Sequence, residues 1–102
     1  MFRTIETTTD KLMIAEKISK SILDSKLSTC VQIIDGVKSY YIWKDKIVSS
    51  NEYTIKIKTV ENNINKISSI IKEKSNYDLP EVISYDFRIE DEEYGNWFNE
   101  NI

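Results

Sequence analysis

The hydropathy pattern predicts a two-layer α/β sandwich with its elements in the order β-α-β-β-α-β, and three observations carry that prediction. Two stretches space their apolar residues at helical intervals, while the segments around them alternate apolar and polar residues as half-buried strands do. The middle of the chain, from Cys30 to Thr59, reads as one long β-ribbon folded at Lys44-Asp45-Lys46. The 102 residues include only two Gly and one Pro, with no repeat or low-complexity segment, so a single domain spanning 1–102 is expected.

Each element has its own justification. Arg3 to Thr8 is a short β-type run whose Ile5 faces the core. From Thr9 or Asp10 to Lys26, the residues Met13, Ile14, Ile18, Ile22 and Leu23 draw one stripe along a helix. Thr9 or Asp10 is the expected N-cap, and Asp10 suits the positive end of the helix dipole. In the first arm of the ribbon Val31, Ile33, Val37, Tyr41 and Trp43 share one parity, and Gly36 marks a bulge that re-aims the strand. In the second arm Tyr53, Ile55 and Ile57 alternate with Thr54, Lys56 and Lys58. Ile64, Ile67, Ile70 and Ile71 form a second helical stripe from about Val60 to Lys74. Pro80 can neither continue a helix nor donate to a strand ladder, so it marks the entry to a last strand, Val82 to Ile89. Ile83, Tyr85, Phe87 and Ile89 lie on one face of it. The tail, Glu90 to Ile102, spaces Tyr94, Trp97 and Phe98 for a short helix.

Right-handed crossovers convert this order into a four-stranded antiparallel sheet with both helices on one face, a ferredoxin-like sandwich. The other face is expected to have no cover from the chain itself. Yet both parities of the ribbon are apolar, with Ile34, Tyr40 and Ile42 on the second. Packing between subunits accounts for that pattern, because a long exposed strand edge has to be covered. Tyr40, Tyr41 and Trp43 are therefore expected at an interface between copies.

Composition removes several functional classes. Charged residues make up 30% of the chain with a net charge of −3, which opposes nucleic-acid binding because that needs a clustered basic face. No stretch approaches the roughly 18 consecutive apolar residues of a membrane span. Cys30 is the only cysteine, so no disulfide forms within the chain, and a cytoplasmic location is expected. The absence of His rules out Ser-His-Asp and Cys-His catalysis. The ETTTD segment between the first strand and helix contains no Gly to cradle a phosphate. Neither an enzymatic activity nor a resident cofactor is expected.

Five separated segments carry a resemblance: LSTCVQI (Leu27 to Ile33), SYYIWKDKI (Ser39 to Ile47), EYTIKIKT (Glu52 to Thr59), NYDLPEVI (Asn76 to Ile83) and YGNW (Tyr94 to Trp97). In this order the chain resembles the CutA family of divalent-ion-tolerance proteins over essentially its whole length. The resemblance implies a compact homotrimer in which adjacent ribbons pair edge to edge and the open sheet faces pack around a threefold axis. It also implies a role in the response to divalent metal ions, copper among them. In some members Cu(II) binding is attributed to a first-strand Cys and to His residues just before a Tyr-x-x-Pro segment. Here Glu6 stands near the first of these positions and Ser75-Asn76 at the second. With no imidazole and one thiol, metal binding is expected to be weak or absent. The run Glu90-Asp91-Glu92-Glu93 reads as a solvated acidic loop and Cys30 as a small packed hydrophobe.

The same motifs contribute Glu52, Lys58, Tyr77, Glu81 and Tyr94, expected to line a cleft between subunits that takes a small anion or metabolite. The plainer alternative is that Lys58 forms an interface salt bridge with one of those carboxylates. A second functional reading is a sensor similar to the PII signalling proteins, which bind nucleotides or metabolites between subunits, and a third is a structural scaffold. The tight turn Trp43-Lys44-Asp45-Lys46-Ile47, in place of a long target-docking loop, favours the CutA reading over the PII one.

Overall fold

The computed structural model describes all 102 residues. Its elements are β1 (Phe2–Thr9), α1 (Leu12–Asp24), β2 (Cys30–Trp43), β3 (Lys46–Val60), a 3₁₀ turn (Glu61–Asn63), α2 (Ile64–Lys74), β4 (Ile83–Asp86) and α3 (Glu92–Glu100). The strands lie in the order β2-β3-β1-β4 with every neighbouring pair antiparallel. This is the ferredoxin-like arrangement expected from the sequence.

The inner face of the sheet packs on α1 and α2. Ile5 of β1 and Ile55 and Ile57 of β3 meet Ala15, Ile18 and Ile22 of α1 and Ile67 and Ile71 of α2, all essentially excluded from water. Burying each of these isoleucines is worth about 2 kcal/mol, and their helical and alternating spacings build the two layers. Helix α1 begins later than expected. Its N-cap is Lys11, which offers no side-chain cap, because Thr9 and Asp10 are engaged elsewhere. The Thr9 hydroxyl accepts from Lys11 N at 3.2 Å and donates to Asn76 Oδ1, while Asp10 Oδ1 accepts from Asn76 Nδ2. Helix α1 ends with Lys26 at φ 57°, where Leu27 N donates to Ile22 O and Lys26 N to Leu23 O. These two bonds close its last turn in the Schellman manner.

The ribbon turns through two residues, Lys44 and Asp45, at φ 50° and 65°, with Trp43 paired to Lys46. Positive φ at both positions is the type I′ geometry whose twist matches that of the flanking strands. The register shifts between Ile34 and Val37, and Gly36 takes φ 83° there. One consequence departs from the sequence pattern. Val31 and Ile33 pair with Ile57 and Ile55 on the inner face, but past the bulge Val37 pairs with Glu52 and Tyr41 with Val48. Those partners have the opposite parity, so Val37, Tyr41 and Trp43 turn to the outer face.

The outer face also differs from expectation, because α3 covers one end of it. Phe98 is fully buried and meets Phe2 edge-on at 5.4 Å and Phe87 at 6.1 Å, while Phe2 and Phe87 stack at 5.6 Å. Thr29 Oγ1 donates to Phe98 O at 2.8 Å and ties the helix to the start of β2. The last strand is shorter than the Val82–Ile89 alternation suggests. Its ladder to β1 runs from Ile83 to Asp86, and Phe87 N adds one bond to Phe2 O. The ribbon extends the molecule to 46 × 24 × 21 Å, and the radius of gyration of 14.3 Å exceeds the ~13 Å usual for about 100 residues.

Candidate functional site

The uncovered end of the outer face holds a cavity of about 800 Å³ that runs from the end of β1 along the projecting part of the ribbon. Its position follows from the bulge. Once Gly36 has re-aimed β2, Tyr41 and Trp43 share the outer face with Glu52 of β3, the stretch from Ser39 to Trp43 lines one side of the cavity, and Glu52 lies at its floor. Thr8 at the end of β1 and the loop after α2 complete the lining.

That loop is held by a chain of short-range bonds. Ser75 N donates to Ile71 O at 2.9 Å as α2 ends, and Tyr77 N donates to Ser75 Oγ at 3.0 Å. Asn76 bridges Thr9 Oγ1 at 2.6 Å and Asp10 Oδ1 at 2.8 Å, which pins the loop to the end of β1. Tyr77 is thereby set over the sheet, and its hydroxyl donates to Glu52 Oε2 at 2.6 Å. Glu52 is only 6% exposed.

The electrostatics of this end are negative. Glu81, on the cavity rim, has its carboxyl held above the ordinary range, first by desolvation and then by the charges of Glu52 and Glu6. The Tyr77 hydroxyl is pushed well above the usual phenol range by burial, by its bond to Glu52 and by the charges of Glu52 and Asp10. Tyr85 donates to Glu6 Oε2 and is likewise raised, with burial the leading cause and Lys56 opposing. Both phenols therefore stay protonated and serve as donors to carboxylates.

Among the residues singled out in the sequence, Glu52, Tyr77 and Glu81 come together at this cavity. Lys58 and Tyr94 do not join them within the protomer. Lys58 pairs with Thr4 and Cys30, six residues along β3 from Glu52, or roughly 20 Å of strand. Its carbonyl accepts from Ser28 Oγ at 2.6 Å. Tyr94 sits on α3 against Trp97 and Phe98. Tyr40, Tyr41 and Trp43 are 69%, 40% and 40% exposed. Asp78, Leu79, Pro80, Thr8 and Ser39 also line the cavity, and sequence reasoning did not find them. For all but Thr8 the only signal was a place within the Asn76–Ile83 segment or beside the ribbon aromatics, and Thr8, at the end of the first strand, carried none.

The residues do not fit a bound transition metal. The chain has no His, and no three Cys, Asp or Glu side chains gather closely enough to hold an ion. Both positions that correspond to copper ligands by resemblance serve other contacts, Glu6 to Tyr85 and Asn76 to Thr9 and Asp10. Asp91 in the acidic run is the N-cap of α3, its Oδ2 accepting from Tyr94 N at 2.8 Å. Glu92 and Glu93 occupy the first turn, where the helix dipole favours them. Cys30 is half-buried on β2.

Comparison with known proteins adds an independent result. The profile of the family described as CutA1 divalent ion tolerance protein matches residues 3–101. The divalent-cation tolerance protein CutA of Thermus thermophilus is 28% identical over 88 residues, covering 86% of this chain and 85% of its own length. The chloroplastic protein CutA of Arabidopsis thaliana is 32% identical over 82 residues, 80% of this chain and 45% of its own. Among solved structures, the divalent cation tolerance protein of Thermus thermophilus superposes with a TM-score of 0.92 at 27% identity, covering 99% of this chain and 98% of its own. The Archaeoglobus fulgidus structure described as periplasmic divalent cation tolerance protein CutA gives 0.93 at 28% identity, with the same coverage.

Proposed function

The chain belongs to the CutA1 divalent ion tolerance protein family, and from that premise we propose that it acts as a cytoplasmic, non-enzymatic homotrimer in the response to divalent metal ions. Its own affinity for metal is weak or absent. The observation that carries the assembly is the ribbon. Tyr40, Ile42 and Ile47 are 69%, 68% and 77% exposed in the protomer, and Leu79 and Ile83 continue the apolar surface beside the cavity. Strand β2 lies at the edge of the sheet for 14 residues. An apolar edge of that length is an aggregation hazard unless another copy covers it, and cyclic symmetry covers every copy at once. No helix is long and apolar enough to cross a membrane, and the single cysteine leaves no disulfide to maintain within the chain.

Light scattering on the intact chain at micromolar concentration is expected to give three times the protomer mass. Replacing Trp43 with Asp is expected to shift that mass downward, since truncation of a central aromatic anchor costs about 2 kcal/mol or more. A monomeric wild-type protein defeats the assembly. Calorimetry is expected to show no submicromolar Cu(II) site, and one such site per protomer defeats the metal part of the reading.

A second reading, a small-molecule sensor similar in plan to the PII proteins, is favoured by the cavity, whose volume lies in the range of ligand pockets. The five-residue cleft expected from the sequence then requires a neighbouring copy to bring Lys58 and Tyr94 to Glu52, Tyr77 and Glu81.

A further inference from the structure

We draw no further inference here: the strongest candidate, the groove between α2 and β4 lined by Ile64, Ser68, Lys72, Val82 and Ser84 beside the free edge of β4, is an unpartnered face, and nothing in the structure shows what covers it.

Discussion

Where β1 begins, the outer face of the sheet is closed by an aromatic cluster in which Phe98 is fully buried between the half-buried Phe2 and Phe87, whereas beyond the end of β1 the same face opens into a cavity floored by Glu52. The strands are continuous from one end to the other, so the difference lies in what returns to cover them. Helix α3 brings an aromatic side chain from the end of the chain to the second residue. The loop after α2 brings a phenol and two further carboxylates. One end converts burial into stability, and the other gathers carboxylates around a largely buried Glu52. Proteins commonly give up local stability of this kind where a surface has a task.

The largest expected effect lies at the closed end. Phe98→Ala is expected to cost about 3–5 kcal/mol in urea unfolding, and a loss below ~1 kcal/mol would mean that α3 merely rests on the sheet. At the open end Tyr77→Phe removes the hydrogen bond to Glu52 and is expected to cost about 1–3 kcal/mol. If its denaturation midpoint matches that of the wild type, solvent serves Glu52 equally well and the two ends differ little in what holds them.

The smallest effect is the most specific. Glu81 shares its surroundings with Glu52, Glu6, Asp78 and Tyr77, and its pKa is raised in the folded state above the unfolded value of 4.5. Between those two pKa values the native protein holds a proton that the unfolded chain has released. Stability therefore falls as pH rises through that window and stays lower above it. Glu81→Gln is expected to be more stable than wild type at pH 8, by no more than ~1 kcal/mol because solvent screens an exposed carboxylate. The two proteins should unfold alike below the unfolded pKa. A variant less stable at pH 8 would show that a cation of the assembly already neutralises the cluster.

Much of this molecule is legible in the order of its apolar residues. Ile5, Ile55 and Ile57 in strand period, and Ile18, Ile22, Ile67 and Ile71 in helical period, dictate the layers. Gly36 in the middle of a strand announces the bulge. What periodicity does not carry is the count of residues across that bulge, and so Val37, Tyr41 and Trp43 change face without any change in their spacing. Nor does it carry reach. The contact between Phe98 and Phe2 joins the two ends of the chain, and the covering of the outer face depends on it. The alternation of Ile83, Tyr85, Phe87 and Ile89 persists past the end of the ladder because it records which way side chains point, not whether a partner strand remains. At the candidate site, family motifs singled out Glu52, Tyr77 and Glu81. Their meeting depends on Asn76 holding the loop to Thr9 and Asp10, a bridge across 66 residues. Lys58 lies in a motif beside Glu52 in sequence, but six residues of extended strand carry it to the other end of the face.

The two-residue turn at Lys44 and Asp45 has a consequence for how the chain reaches this shape. Every pair across the ribbon is nested about that point, from Trp43 with Lys46 outward to Cys30 with Lys58. Each pair formed shortens the loop that the next must close, so the longest ladder of the sheet can zip from its tip at small entropic cost, on the microsecond scale of hairpins. Strands β1 and β4 have no such route, since Phe2 pairs with Val60 and Arg3 with Asp86. The ribbon therefore becomes the template onto which the ends of the chain are laid, and the slow part of folding is the arrival of those ends.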